Sequence, residues 1–571
     1  MKTLLLAAVN AKYIHSNLGV YSLKAYAEQQ PDVCRIELAE YTINQMPERI
    51  LADLYRRKPD VLAFSCYIWN IRMVETLVRD LARVLPEIPI WLGGPEVSGR
   101  ARQVLDQLPM VTGVLIGEGE ETFAQLAAYY EAGAGREPDH IRGLVFRRAD
   151  GSLTQTPPRP LPALDALPFP YKDLQGMENR ILYYESSRGC PFSCSYCLSS
   201  IDKSVRFRSL DKVREELSFF LKNRVPQVKF VDRTFNCRKA HALAIWKYLL
   251  EHDNGVTNFH FEISADLLDE EELDVIRQMR PGLIQLEIGV QSANPAVIRQ
   301  IRRTMDLDRV EQTVRTIRGF GNTHQHLDLI AGLPLEDMGS FIRSFDRVYR
   351  MGPDQLQLGF LKVLWGSPMA EEAADYGLVY REEPPYEVLS TRWLSYADLL
   401  RLKAVEEMLE VYGNSGQFSL TLAAMEKQWE SPFAMFEELA AYYERNGLAE
   451  ISHSRPARYE ILLAFLRERL PEQAEAFRER LVCDFYLREN AKSRPAFAPD
   501  PGPWKERIRT FFEQEEKRRV WLEGYASYDA RQMSRMVHTE VQSDGSLLLF
   551  DYLHRDPLRR SARLVRVPAS D

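Results

Sequence analysis

The sequence predicts an α/β protein in three parts. These are an N-terminal doubly wound parallel sheet over residues 1–135, a partial (β/α)6 barrel over 181–375 and a mainly helical C-terminal region over 376–571, with a Pro-rich connector over 136–180. Three observations lead there. In the first two parts, short apolar runs of strand length alternate with amphipathic helical stretches. Small and polar residues cluster just after those runs, where α/β sheets bind ligands. Beyond the barrel the pattern lengthens into helices without strands between them.

Length and composition bound the rest. At 571 residues the chain exceeds one ordinary core, at about 150 residues per domain, and its 45% hydrophobic content is ample for burial. A formal net charge of -8 gives no global attraction to nucleic acid or to an anionic membrane. No uninterrupted apolar run reaches the ~18 residues of a bilayer span, and Met1 to Val9, too short for a secretory signal, reads as a first strand. Seven cysteines, an odd number with three of them clustered, do not resemble a disulfide framework. A cytoplasmic location is expected.

In residues 1–135 the expected strands are Leu4 to Val9, Val61 to Ser65, Ile90 to Leu92 and Val114 to Ile116, with an amphipathic helix at Ile71 to Leu85. They run into Asn10 to Gly19, Cys66 to Asn70, Gly93-Gly94-Pro95-Glu96 and Gly117-Glu118-Gly119-Glu120. Glycine at a strand end lets backbone approach a large ligand, although any one of these loops alone is equally an ordinary turn. Asn70, Gly93, Gly94, Glu96, Gly117 and Glu118 are the candidate ligand residues here.

In the connector, Gly143 to Thr156 reads as a hairpin turned by Asp150-Gly151. Pro157, Pro158, Pro160, Pro162, Pro168 and Pro170 then impose an extended, semi-rigid path to the next domain. A short stiff bridge suits two ligand sites held at a fixed separation.

The barrel opens with Ile181 to Tyr184, and directly after it comes Ser187-Arg188-Gly189-Cys190-Pro191-Phe192-Ser193-Cys194-Ser195-Tyr196-Cys197. Gly189 permits backbone angles that other residues avoid and Pro191 cannot continue a ladder, so the three thiols sit on a tight loop and can converge. Three thiolates leave one coordination position open, whereas structural zinc takes four closed ligands and iron–sulfur clusters usually four cysteines. One solution is zinc with a fourth ligand from Cys237 or His241, which are spaced i, i+4. The other is a cluster with one open iron.

The C-x3-C-x2-C spacing with Tyr196 before the last cysteine resembles the signature of the radical S-adenosylmethionine superfamily. The resemblance implies that Cys190, Cys194 and Cys197 hold three irons of a [4Fe-4S] cluster, with S-adenosylmethionine on the fourth. It also implies an external electron donor, whose electron cleaves the sulfonium to a 5′-deoxyadenosyl radical.

Further strands are expected at Val228 to Asp232, His260 to Ser264, Ile284 to Val290, His326 to Ile330 and Gln357 to Val363, with helices such as Leu210 to Asn223, Glu270 to Arg280 and Pro295 to Arg303. Barrel chemistry sits at the C-terminal strand ends. By resemblance, Asp232 closes the second strand, Glu262 lies on the third, Gln291 and Ser292 follow the fourth near ribose and methionine, and Gly332 follows the fifth near adenine. Read singly, Glu262 is equally an ion-pair partner of Arg233 or Arg302, and Asp232 a helix cap.

Ser65-x4-Asn70, then Gly-Gly-Pro-Glu, then Gly-Glu-Gly-Glu before a helix resembles the cobalamin-binding domain that precedes many radical S-adenosylmethionine enzymes. The D-x-H-x-x-G element that gives cobalt a histidine elsewhere is missing, since Tyr13 stands two residues before His15. Cobalamin is therefore expected without a histidine on its lower face. The resemblance implies methylation of an unactivated carbon of an unidentified substrate, against rearrangement, cyclisation or oxidation within the same superfamily, or a non-enzymatic zinc or cobalamin-binding protein.

The C-terminal region has helical stretches at Tyr396 to Tyr412, Phe433 to Asn446, Tyr459 to Leu470 and Pro503 to Trp521, and a closing hairpin, Met536 to Gln542 with Ser546 to Tyr552. It carries no metal-spaced or nucleophile motif and is expected as a lid over the barrel mouth. Arg555, Arg559, Arg560, Arg563 and Arg566 make a basic tail, open to RNA or to a plain solvated role. The acidic Glu513, Glu515 and Glu516 nearby favour the solvated role.

Overall fold

A computed structural model describes residues 1–135, 137–201 and 203–569. The N-terminal sheet holds β1 (Thr3–Asn10), β2 (Arg35–Thr42), β3 (Val61–Ser65), β4 (Ile90–Gly93), β5 (Gly113–Leu115), β6 (Leu144–Arg147) and β7 (Leu153–Gln155). Its order is β2-β1-β3-β4-β5-β6-β7, parallel as far as β5. β1 is apolar from Leu4 to Val9 because both its faces are covered. Leu5, Ala7 and Val9 join one core and Leu4, Leu6 and Ala8 the other, so helices pack on both sides.

Strand order reverses between β1 and β3, and the loops after these two strands flank the resulting crevice. The sequence did not announce β2, because an edge strand needs apolar residues on part of its surface only. Arg35, Glu37 and Glu40 interrupt the run. The hairpin expected in the connector belongs to this sheet instead, with β6 antiparallel to β5 and β7 to β6.

The second domain begins with β8 (Leu182–Tyr184), followed by the short antiparallel pair β9 (Ser187–Arg188) and β10 (Arg206–Phe207), which brackets the cysteine loop. Then come β11 (Gln227–Phe230), β12 (Asn258–Ile263), β13 (Ile284–Gln291), β14 (His324–Ala331) and β15 (Gln355–Phe360). The six long strands form one parallel sheet in the order β15-β14-β13-β12-β11-β8, the partial barrel expected. Along β13, Ile284, Leu286, Ile288 and Val290 are buried against the helices, while Gln285, Glu287, Gly289 and Gln291 alternate onto the opposite, inner face. The inner wall is therefore polar.

β16 (Val379–Tyr380) and β17 (Val388–Ser390) lead into helices Tyr396–Met408, Pro432–Arg445, Arg455–Arg469, Ala474–Arg488 and Lys505–Arg518. Their apolar residues continue the barrel core, with Phe345 of the barrel helix Met338–Met351 meeting Phe433 edge-on at 5.4 Å. This region packs on the outside of the barrel and is not a lid over the cysteine-loop cavity or the cavity beside it, which no residue beyond Asp328 lines among the described residues. The final hairpin is β18 (Val537–Val541) with β19 (Leu547–Asp551), and β20 (Arg563–Val567) adds a third strand.

Three of the five tail arginines meet partners near the surface. Arg566 pairs with Asp544, Arg559 lies 3.7 Å from Asp354, and Arg555 covers the Tyr552 ring at 5.0 Å. Among the described residues no helix is long and apolar enough to cross a membrane.

Candidate functional site

Two cavities meet between the sheets. The larger, about 700 Å³, lies between the loops after β1, β3 and β5 and the barrel strand ends, and is lined by His15, Tyr67, Trp69, Glu118, Tyr183, Arg188 and Arg233 among others. The smaller, about 330 Å³, is lined by all three loop cysteines on one side and by Glu262, Glu287, Gln291, Arg303 and Asp328 on the other. Arg233 lines both.

The cysteine loop is built by its surroundings. Gly189 has φ +103°, and a Cβ there would lie 2.1 Å from the Ser204 carbonyl oxygen, so the two legs of the loop close only on glycine. Asp232 sits beneath. It is fully buried and accepts from the Ser186 amide at 3.0 Å and from the Ser186 and Ser187 hydroxyls at 2.6 Å each. Burial pushes its carboxyl up to about 6, against these three donors. Asp232 thus supports the strand that enters the loop, lines neither cavity and is not the helix cap weighed from sequence.

An Asp232→Ala variant leaves the Ser186 amide and the Ser187 hydroxyl without their buried acceptor, the Ser186 hydroxyl keeping His241, and is expected to lose about 2 to 3 kcal/mol of stability. Denaturant unfolding at pH 7.5, where the carboxyl is ionised, measures this.

Zinc fares poorly as the occupant. His241 turns Nε2 to the Ser186 hydroxyl at 3.1 Å and sets its ring edge-on to Phe207. Among the described residues no cage of three or more His, Cys, Asp or Glu is assembled for a single ion. The cavity suits a larger group with an open side. Gln291 Oε1 is buried without a partner, and Glu262 has no ion pair within 4.0 Å among the described residues, so neither Arg233 nor Arg302 neutralises it. Burial first, and then the charge of Glu287, pushes Glu262 up to about 7. A carboxylate so placed lacks donors, which a ribose or an ammonium group supplies.

Glu287 is held the other way. Burial alone would raise it, but His260 at 3.0 Å and Lys229 at 2.8 Å keep it far below the usual carboxylate range. His326 lies 3.1 Å from Asp328 in the same inner wall.

Gln291 has φ +72° at a register shift in the β13/β14 ladder between Gly289 and Gln291, a strained position of the kind found at ligand sites. The bulge turns the next residue away. Ser292 is fully buried, donates to Glu336 at 2.6 Å and lines neither cavity. Gly332 lies against Val388 and Leu361 and is likewise outside the cavity wall.

In the N-terminal domain, Gly93, Gly94, Gly117 and Glu118 line a further pocket of about 180 Å³ that reaches under the strand ends. Gly94 has φ +114°, and a Cβ there would come within 2.6 Å of the Cys66 carbonyl oxygen. Asn70 is fully buried. Its amide donates to the Val9 and Ser65 carbonyls at 3.0 and 2.9 Å, tying the ends of β1 and β3 together rather than facing the cavity. Glu96 is taken by Arg100 at 2.6 Å and by Tyr386, and lines neither main cavity.

Tyr67 and Trp69 stack at 4.4 Å with planes 9° apart on the cavity floor. Across from them His15 Nδ1 meets the Tyr183 hydroxyl at 2.7 Å. Burial, with Lys12 and Lys229 nearby, lowers the His15 pKa, so the ring is neutral. Sequence reasoning missed Arg188, Glu287, Arg303 and the Tyr67/Trp69 pair. Their signals were adjacency to the cysteines for Arg188 and inward strand parity for Glu287.

A cysteine-lined cavity on a partial barrel, facing the switch point of a doubly wound sheet, defines a radical S-adenosylmethionine protein with a cobalamin-type domain in front. Residues 4–127 match the B12 binding domain and residues 184–348 the radical SAM superfamily. The chain thus carries a B12 binding domain followed by a radical SAM domain. Residues 374–545 match a family described as a protein of unknown function, DUF4080.

The chain is similar to the cobalamin-dependent radical SAM methyltransferase TokK of Streptomyces tokunonensis, 27% identical over 385 residues, covering 62% of this chain and 55% of that protein. Similarity to the 2-(S-pantetheinyl)-carbapenam-3-carboxylate methyltransferase of Streptantibioticus cattleyicolor is 27% over 409 residues, covering 63% of this chain and 56% of that one. The chain thus spans little more than half the length of these curated relatives. Among solved structures, the cobalamin-dependent radical enzyme OxsB with aqua-cobalamin and S-adenosylmethionine bound shares the fold at a TM-score of 0.60 and 15% identity, over 85% of this chain and 79% of that one. TsrM of Kitasatospora setae, with cobalamin and a [4Fe-4S] cluster bound, does so at 0.56 and 16%, over 67% and 78%.

Proposed function

We propose that this protein is a cobalamin-dependent radical S-adenosylmethionine enzyme that methylates an unactivated carbon of a substrate held between its two sheets. The observation that carries this reading is the junction at Arg233, where the cysteine cavity opens toward the cavity of the cobalamin-type domain. Cys190, Cys194 and Cys197 would hold the [4Fe-4S] cluster, with Glu262 and Gln291 offering acceptors to S-adenosylmethionine. Gly93, Gly94, Gly117 and Glu118 would border cobalamin, and the Tyr67/Trp69 ring pair would offer it an apolar surface. Bound there, these groups supply a 5′-deoxyadenosyl radical and a transferable methyl group.

The chain's own part is placement. Arg233 has no carboxylate within 4.0 Å among the described residues and is free to orient an anionic group at the junction, while the stacked Tyr67 and Trp69 rings give the larger cavity an apolar surface. Part of the arginine tail is paired at the surface, and with a formal net charge of -8 a nucleic-acid partner is disfavoured. An external reductant and a reducing, cytoplasmic setting complete the reading.

The test is anaerobic. Reconstituted protein is expected to hold about four irons, to take up cobalamin, and to yield both 5′-deoxyadenosine and S-adenosylhomocysteine once substrate is present. Deoxyadenosine without S-adenosylhomocysteine would move the protein to the rearranging or oxidising enzymes. Bound zinc with intact S-adenosylmethionine would remove it from catalysis.

A further inference from the structure

Arg188 stands two residues before Cys190, yet its side chain leaves the cysteine loop and enters the N-terminal domain. Its Nη1 donates to Glu118 Oε2 at 2.6 Å and its Nη2 to Glu120 Oε1 at 2.9 Å, both on the segment after β5. Glu185 holds the same guanidinium from the barrel side at 2.7 and 3.0 Å. Arg206, opposite Arg188 in the β9/β10 pair, grips Glu118 as well, through both carboxylate oxygens, and anchors on the Pro162 carbonyl at 2.7 Å. The five side chains are between 8% and 21% exposed. Charge-assisted bonds at that burial are stiff and directional.

The placement matters more than the strength. Glu118 and Glu120 line both the interdomain cavity and the pocket under the strand ends. β9 and β10 are the two legs that carry the cysteines, closed on each other at Gly189. A ligand that displaces or fixes the Gly117–Glu120 segment therefore acts on Arg188 and, two residues on, on Cys190. Elsewhere the domains meet through main chain, as where the Ile181 amide donates to the Ile14 carbonyl at 2.7 Å, and through other side-chain pairs such as Arg180 with Glu40 and His15 with Tyr183, none of which joins the cysteine loop to the segment after β5.

We propose that Glu118 and Glu120, gripped by Arg188 and Arg206, are positioning residues that couple the two cofactor sites. Cobalamin in the N-terminal cavity sets the cysteine loop in the geometry that takes up S-adenosylmethionine, and by linkage S-adenosylmethionine tightens cobalamin by the same factor. This rests on the cofactor reading above.

The test uses the full chain with its cluster reconstituted, anaerobic and without reductant so that nothing turns over. Equilibrium dialysis gives the dissociation constant of S-adenosylmethionine with and without hydroxocobalamin, and absorbance gives that of hydroxocobalamin with and without S-adenosylmethionine. The expected result is equal mutual tightening of at least about fivefold, falling to near one in Glu118→Gln and in Arg206→Met, and partly restored in Arg206→Lys. Arg206→Met, which leaves Arg188 and all three glutamates in place, serves if the Glu118 variant fails to fold. A factor of one in the unmodified chain, with both ligands bound, overturns the coupling and leaves the cofactor reading standing. An unchanged factor in both variants reduces the bridge to domain packing. Failure of the unmodified chain to take up hydroxocobalamin at all overturns both.

Discussion

Replacing Cys190, Cys194 or Cys197 singly by alanine is expected to strip reconstituted iron from about four per chain to background and to abolish 5′-deoxyadenosine formation, while Cys237→Ala keeps both. The reason is division of labour. The three thiols share one cavity wall, and among the described residues no further His, Cys, Asp or Glu is gathered with them into a metal-holding group. Arg303 lies 3.7 Å from the Cys194 sulfur, so a positive charge is already in position beside a thiolate. Each loss removes a few atoms from a cavity edge, and the apo fold is expected to hold to within about 1 kcal/mol. Iron and cobalt analysis beside a thermal melt separates loss of ligand from loss of fold. Zinc in place of iron, lost in Cys237→Ala or His241→Ala as well as in the three variants, would instead assign the site to zinc.

How far such a site is legible in sequence depends on how local it is. Three ligands within one short loop after a strand are visible at once, because the loop itself brings them together. The strand ends of the N-terminal sheet were legible for a similar reason, since Gly93-Gly94 and Gly117-Glu118 sit at fixed offsets from apolar runs. β2 was not, because half-covered edge strands lack a continuous apolar run. Ser292 was placed toward the ligand by motif, but the bulge at Gln291 rotates it into a buried bond with Glu336. Asn70 and Asp232 occupy their expected loops and turn inward to hold strands, a choice between neighbouring orientations that sequence spacing does not encode. The Arg188 to Glu118 pair spans 70 residues of sequence and two domains, and no periodicity reports it. The C-terminal region shares the barrel core through contacts such as Phe345 with Phe433, again long-range, so its helices were foreseen and their docking face was not.

Glu262→Gln is expected to move stability and ligand affinity in opposite directions. In the folded chain the Glu262 pKa is pushed up to about 7 by burial and by Glu287, with Asp328 adding to the rise and Arg233 and Lys229 opposing it. The folded state thus keeps a proton that the unfolded chain has released, so stability falls as pH rises from the ordinary glutamate range to about 7 and stays low above it. Glutamine carries no such burden. The apo variant is expected to be more stable than the unmodified protein at pH 8, by on the order of 2 kcal/mol after allowance for water in the cavity, and equal to it near pH 4. With S-adenosylmethionine the sign reverses, because an ionised acceptor facing hydroxyl or ammonium donors is worth more than a neutral amide. Loss of that charge is expected to weaken binding about ten- to a hundredfold at pH 8. The same logic makes affinity in the unmodified protein decline as pH drops through 7, a slope the variant largely loses. Asp328, also raised by burial, titrates in the same sense and accounts for any residue of the slope. A variant that is less stable at pH 8 and binds S-adenosylmethionine normally would make Glu262 a structural group, and the acceptor would then be sought at Gln291, whose side-chain oxygen is buried in that wall without a partner.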